Sequence, residues 1–216
     1  MNVLLIHGLG RTPLSLMGLE GHLRRTGWKT ELFGYAAFAE SYDQIAHRLH
    51  QRFQSLAEEG TYAVVAHSLG GLLTRSALAI ASIPTPHHIV MLGTPNQSPR
   101  LARHAWKVPF FQWFSRDCGA NLANPDFFAD LPHPLSPYTI IAGTSGPRGA
   151  WSPFGHEVND GIVALDETRI TEGDRPIQLP VNHTFMMYSP VVQETVVQAI
   201  QTNLVQDTPA PNLIEV

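Results

Sequence analysis

The sequence predicts a single α/β domain with a mostly parallel central sheet and helices on both faces. Three observations carry this. Short apolar runs alternate with helix-patterned stretches, the order expected of parallel strands joined by crossover helices. The first run, Val3 to Ile6, has no polar alternation, as a strand buried on both faces requires. The 216 residues suit one domain and can bury a sizeable core without disulfide or metal staples.

The elements follow in order. A Gly-bearing turn leads from the first strand into a helix over about 14–25, which Gly27 ends, and a second strand runs over about 29–33. Ser41-Tyr42-Asp43-Gln44 matches a capping box. Behind it Ile45, Leu49, Phe53 and Leu56 fall at helical spacing until Gly60. Tyr62 to Ala66 reads as a buried strand, followed by a helix from Leu69 to about Ala81. Strands over 89–92 and 138–142 come next. A last helix starts at Pro190 behind Ser189 and runs to about Val205. The tail 207–216, with Pro209 and Pro211, is expected to be loose.

Two stretches break the alternation. Residues 96–137 hold Trp106, Phe110, Phe111, Trp113, Phe114, Phe127 and Phe128 among several prolines, and 144–159 are rich in Gly, Pro and aromatics. There is no internal repeat and no second-domain linker, so the whole chain, 1–216, reads as one domain.

Composition narrows the function. A charged fraction of 15% beside 44% hydrophobic residues suits a soluble globular chain with a rather apolar surface. A net charge of -4, with only 14 Lys and Arg and no basic stripe, predicts no nucleic-acid partner. Cys118 is the single cysteine, so neither an internal disulfide nor a thiolate cluster is expected. Of the eleven histidines, His87 and His88 are adjacent and no His-Glu-x-x-His pattern occurs, so no metal is expected. The apolar run at the start stops at His7 with no Lys or Arg before it, unlike a secretory signal. No apolar stretch approaches the ~20 residues that span a bilayer. The expectation is a cytoplasmic protein, with transient membrane-surface contact if the substrate is a lipid. Oligomeric state has no signature here.

The chemistry centres on Val64-Val65-Ala66-His67-Ser68-Leu69-Gly70-Gly71, at a strand-to-helix junction. A serine hydroxyl is a poor nucleophile and needs exposure and an adjacent base. A tight strand–turn–helix bend lifts the side chain above the sheet edge, and small residues at Ala66 and Gly70 allow the close approach. The usual form of the motif is Gly-x-Ser-x-Gly, and Ala66 departs from it. The competing reading is a glycine-rich helix start with Ser68 as a cap.

These residues resemble the nucleophile elbow of the α/β-hydrolase superfamily, and most of all that of small bacterial lipases of the lipase A type, where Ala likewise replaces the first Gly. His7-Gly8-Leu9-Gly10 resembles the oxyanion loop of the same enzymes, and Gly93-Thr94-Pro95-Asn96 their Gly-Thr-Pro-(His/Asn) turn. The likeness covers residues 3–10, 62–75, 88–96, 138–143, 158–165 and 178–185 in order, and little of 97–137.

The resemblance implies a single-domain α/β-hydrolase fold and a Ser–acid–His chain order. Ser68 is then the nucleophile. His183, in the loop before the last helix, is the expected base, with His156 as rival and His87, His88, His104 and His133 as further histidines after Ser68. Asp160, in Asp160-Gly161-Ile162-Val163, resembles the acid loop of small lipases, with Asp166 and Glu157 as alternatives. Two backbone N–H groups should hold the oxyanion, one from Leu69 and, by resemblance, one from Leu9. No metal or organic cofactor is implied.

The aromatic segment 97–137 reads as a cap or lid offering an apolar surface to acyl chains, or as a helical excursion on its own small core. Trp106, Phe110 and Phe111, with Trp151 and Phe154 from the second irregular stretch, are the expected substrate contacts. No charged specificity residue stands out beside the motifs. The expected substrate is therefore a neutral or lipidic ester, cleaved by a lipase or carboxylesterase. An acyl thioesterase would use the same three residues, and a non-catalytic binding protein on this fold is the alternative from another class.

Overall fold

The computed structural model describes residues 1–206; the expected loose tail, 207–216, lies outside the described residues. Six strands form one sheet: β1 (Asn2–Ile6), β2 (Lys29–Phe33), β3 (Tyr62–His67), β4 (His88–Leu92), β5 (Tyr138–Gly143) and β6 (Ile177–Leu179). They lie in the order β2-β1-β3-β4-β5-β6, and every pair is parallel. The expected "mostly parallel" sheet is parallel throughout its described strands.

Alternation along each strand feeds two cores. Leu4, Ile6, Val64 and Ala66 face one side, where α2 (Tyr42–Glu59) and α3 (Leu69–Ala79) contribute Ile45, Phe53 and Leu72. Val3, Leu5, Ala63 and Val65 face the other, covered by Leu19 of α1 (Met17–Arg25) and by Val192, Val196 and Ile200 of α7 (Pro190–Gln206). This is why the β1 and β3 runs lack polar alternation. The capping box at α2 forms as expected: Ser41 Oγ accepts from Gln44 N at 3.1 Å, and Gln44 Oε1 accepts from Ser41 N at 2.9 Å.

The expected strands shift by no more than one residue at either end, two helix ends shift further, and one strand was not expected. The helix expected from Leu14 opens as a short 3-10 turn, Pro13–Leu16, and becomes α-helical only at Met17. The helix after Ser68 ends at Ala79, two residues early. β6 is too short to be marked by its Ile-Gln-Leu alternation: its three residues pair with β5 alone, and Ile177 is 39% exposed at the sheet edge.

Between β4 and β5 the chain makes a helical excursion, α4 (Arg100–Ala105), α5 (Pro109–Ala123) and α6 (Pro125–Asp130). It does not build a separate core. Cys118, Leu122 and Leu131 join the α2/α3 side of the main core, and Phe127 meets Tyr42 edge-on at 5.2 Å. α5 breaks at Arg116, whose φ of 46° is not helical. The start of α4 is pinned by the buried Glu167, whose Oε1 accepts from Arg100 N at 2.9 Å and Oε2 from Ala164 N at 2.9 Å. No helix among the described residues is long and apolar enough to cross a membrane.

Candidate active site

Open α/β sheets bind ligands beyond the carboxyl ends of their strands, where the strand order reverses. That point here lies between β1 and β3. The His7–Gly10 loop leaves β1 and Ser68 leaves β3, so both flank it.

Ser68 is the turn between β3 and α3, with φ 53° and ψ −121°. A non-glycine residue held there costs about 1–3 kcal/mol. Surrounding bonds enforce the turn: Ser68 N donates to Leu92 O at 2.9 Å, and Gly71 N to Ser68 O at 3.0 Å. The turn presses α3 against the end of β1. A Cβ on Gly70 would lie 2.8 Å from Ile6 O and 2.9 Å from His7 O, so only glycine fits. Ala66 meets no such limit. It is fully buried in register between Ile6 and Met91, and its methyl belongs to the core.

His183 reaches Ser68 from the loop after β6. Its Nε2 lies 3.1 Å from Ser68 Oγ, and its Nδ1 2.7 Å from Asp160 Oδ2. A carboxylate only accepts, so Nδ1 carries the proton and the Nε2 lone pair faces the serine hydroxyl. Asp160 is held in turn. Its Oδ1 accepts from Ile162 N at 2.9 Å and Val163 N at 2.7 Å, and its carbonyl accepts from His183 N at 2.9 Å. The Asp-Gly pair in the sequence is therefore turn chemistry as well as a carboxylate source. Gly93 lies beneath this pair with φ 55°. A Cβ there would come within 3.0 Å of His183 Nδ1 and 3.1 Å of Asp160 Oδ2.

Two other buried histidines are scaffolding. His67 Nε2 donates to the carbonyl of His183 at 3.0 Å. Burial and the neighbouring His183 hold the His67 pKa well below 6.5, so it stays neutral. His7 stacks on Tyr35 at 4.1 Å, and its Nδ1 donates to Gly8 O at 2.9 Å. Tyr35 closes the pair by donating its hydroxyl to His7 O at 2.9 Å and its N–H to His7 Nε2 at 3.3 Å. Burial lowers the His7 pKa too. Among the described residues, the N–H groups of Leu9 and Leu69 donate to no other group, and both belong to the loops beside Ser68.

The rival residues lie elsewhere. His156, His104 and His133 are exposed, and His88 is buried at the opposite end of β4, bonded to Thr139 Oγ1 at 2.9 Å. His87 lies beside it at that end. Glu157 pairs with Arg100 at 2.8 Å, and Asp166 with Arg169 at 3.5 Å. No three His, Cys, Asp or Glu side chains among the described residues form a group fit to hold a metal ion.

A cavity of about 280 Å³ opens onto Ser68 and His183. Its walls are apolar, with Leu101 and Ala102 from α4, Phe111 and Leu122 from α5, and Ile162 and Val163 from the acid loop. Of the five aromatics expected to contact substrate, only Phe111 lines it. Phe110 points outward from α5 and pairs with Trp113, because its neighbour Phe111 takes the inward position. Trp106 packs on the outer edge of Phe111 at 6.5 Å. Phe154 is buried inside its own loop under Arg100, and Trp151 is 78% exposed.

The expectation that no charged residue stands beside the motifs is also corrected. Arg11 follows the His7–Gly10 loop directly and lines the cavity. Its adjacency to that loop was the available signal.

No protein-family model and no curated protein matches the sequence. Solved structures do. Phospholipase PlaB from Legionella pneumophila superposes with a TM-score of 0.65 at 18% identity, covering 79% of this chain and 44% of that one. This chain thus spans less than half of that phospholipase. The RedJ thioesterase of prodiginine biosynthesis from Streptomyces coelicolor gives 0.62 at 16% identity, over 93% of this chain and 89% of its own. An extracellular α/β-hydrolase from a Paenibacillus species gives 0.56 at 16% identity, over 92% and 98%. At these identities the likeness is one of fold, and the fold is that of the α/β-hydrolases.

Proposed function

We propose that this protein is a serine hydrolase of acyl esters, acting through Ser68, His183 and Asp160. The observation that carries this reading is the hydrogen-bonded chain from Asp160 Oδ2 through His183 to Ser68 Oγ, at the mouth of an apolar cavity. The solved relatives that share the fold include a phospholipase and a thioesterase, which is in keeping with it.

The steps follow from the atoms present. Ser68 Oγ attacks the acyl carbonyl as His183 Nε2 takes its proton. The buried Asp160 carboxylate stabilises the imidazolium and keeps its orientation without taking the proton. The carbonyl oxygen becomes an oxyanion and accepts from the N–H groups of Leu9 and Leu69, a pair of donors of which each is worth roughly 100- to 1000-fold in rate. His183 then protonates the departing alcohol as its bond to the acyl carbon breaks; water next attacks the acyl-enzyme and gives a proton to His183, which returns it to Ser68 Oγ as the acyl–Oγ bond breaks and the acid leaves. Every proton moved belongs to the protein, the ester or water.

The apolar walls suit an acyl chain, and the surface around them suits a lipid layer. Phe110 and Trp113 stand 71% and 72% exposed on α5. Residues 97–116 carry Arg100, Arg103, Lys107 and Arg116 and no Asp or Glu, in a chain of net charge -4. This combination favours a glycerolipid ester at an anionic surface.

The test is labelling with a fluorophosphonate together with hydrolysis of p-nitrophenyl esters. Wild type should label and turn over, and Ser68→Ala should do neither. A wild-type protein that neither labels nor cleaves any ester would overturn the reading in favour of a binding protein. A thioesterase reading has the support of the RedJ likeness, and acyl-CoA cleaved faster than the oxyester of the same chain would establish it.

A further inference from the structure

Beyond His67, Ser68, His183 and Thr184, the cavity is lined by apolar side chains and one permanent charge. Among the described residues its lining contains no Asp or Glu, and Arg11 is its one Lys or Arg. The chain has 18 acidic residues against 14 Lys and Arg, and Arg24, Arg48, Arg52, Arg100 and Arg169 each sit against a carboxylate. Arg11 does not. No hydrogen bond or ion pair engages its guanidinium among the described residues. Its charge is nonetheless felt at the site, since it helps to keep the buried His67 ring neutral beside Ser68.

Its position is set by the backbone. Arg11 N donates to Gly8 O at 3.3 Å, closing the turn that contains Leu9. The cation therefore stands two residues beyond the proposed oxyanion donor, on the same loop. Leu9, Arg11 and Ser68 line the same cavity.

We propose that Arg11 binds a phosphate carried by the substrate, so that the preferred substrate is an anionic acyl ester rather than a neutral one. This rests on the hydrolase reading above and names its substrate class. A guanidinium fork matches phosphate oxygens two at a time. Apolar walls weaken solvent screening and so strengthen the attraction. The unpaired state of Arg11 then has a reason: a resident carboxylate would compete with the substrate.

The phosphate can belong to a lipid head group or to the carrier end of an acyl thioester. Matched pairs separate these. One pair is monodecanoylglycerol and its phosphate monoester. The other is the decanoyl thioester of N-acetylcysteamine and decanoyl-CoA. In wild type, kcat/KM should favour the phosphate-bearing member of one pair. Arg11→Gln should lower that preference by roughly 10- to 100-fold, the scale of a lost hydrogen bond to a charged group. Arg11→Lys should restore part of it, keeping the charge without the fork. The pair whose preference collapses identifies the source. Preferences that Arg11→Gln leaves unchanged, whether both rates fall together or neither does, overturn the proposal.

A binding measurement separates this from the hydrolase reading. Ser68→Ala protein should bind decyl phosphate at least about 10-fold more tightly than decanol, and adding Arg11→Gln should remove the difference. If that pattern holds while wild type cleaves no ester, the anion site stands and the hydrolase reading falls. If esters are cleaved and neither preference nor binding responds to Arg11, the hydrolase stands and the anion site falls.

Discussion

His67 donates its Nε2–H to the backbone carbonyl of His183 across 3.0 Å. The residue beside the proposed nucleophile thus grips the loop that carries the proposed base, 116 positions away in sequence. The serine turn and the histidine loop are indexed to each other by a bond that neither reacting side chain makes. A misplacement of about 1 Å can cost on the order of 100-fold in rate. His67→Ala should lower kcat on p-nitrophenyl esters by about 10- to 100-fold with a smaller change in KM. His67→Gln, which keeps a donor, should recover part of the loss. Equal kinetics for wild type and His67→Ala would show that the grip is dispensable.

Asp160 has three hydrogen-bond donors, His183 Nδ1 and the N–H groups of Ile162 and Val163. Asp160→Asn keeps the shape but offers His183 an amide in place of a carboxylate, which favours the wrong tautomer. The expected fall in kcat is on the order of 10⁴-fold. Circular dichroism and Tm should show that the fold survives. A loss below about 10-fold would remove Asp160 from the proposed triad.

Gly70 and Ala66 make opposite predictions within one motif. A methyl at Gly70 collides with two backbone oxygens that have nowhere to go. Gly70→Ala should destabilise by about 1–3 kcal/mol and slow fluorophosphonate labelling by displacing Ser68. Ala66→Gly restores the usual motif but removes a buried methyl from the core. It should cost about 0.5–1 kcal/mol with labelling preserved. Both are read from urea melts and labelling rates.

Acid should unfold the protein early. Burial, reinforced by His87, pushes the His88 pKa down to about 4, and burial also depresses His7 and His67. In the unfolded chain these rings take a proton at about 6.5. Their contribution to stability is therefore complete above about 6.5 and is lost as pH falls toward about 4. Glu157, hydrogen-bonded by Arg100, and Asp174, whose burial is outweighed by hydrogen bonds from Thr171, Tyr138 and Ile170, sit below the usual carboxylate range and act in the same direction at lower pH. Tm should fall by several degrees across the histidine window, and His88→Gln should flatten that slope. A Tm independent of pH in this range would refute the assignment.

Trp113 offers a direct reading of surface contact. On vesicles containing anionic lipid its fluorescence should shift to the blue, and Trp113→Ala should weaken vesicle binding by about 10-fold, as expected for burying one large apolar side chain. Neutral vesicles should bind less, because residues 97–116 carry four Lys and Arg and no Asp or Glu. Equal binding to both vesicle types would leave the basic segment without this role.

The alternation of strands and helices, the capped α2 and the sharp bend at Ser68 are legible in the order of the residues. Each is local: periodicity, a capping box and small residues act within one turn or one strand. The sequence also places Ser68, Asp160 and His183 in an order that the fold turns into a 2.7 Å and a 3.1 Å contact. The remaining features depend on contacts between distant segments. β6 forms because β5 offers an edge, and its own Ile177-Gln178-Leu179 alternation is too short to mark a strand. Phe111 enters the cavity while Phe110 does not, because the rotation of α5 about its axis sets which of two adjacent rings faces inward. Phe154 is spent on its own loop. Arg11 acquires its meaning from what surrounds it, an apolar wall and no carboxylate, and no spacing along a chain encodes an absence of neighbours.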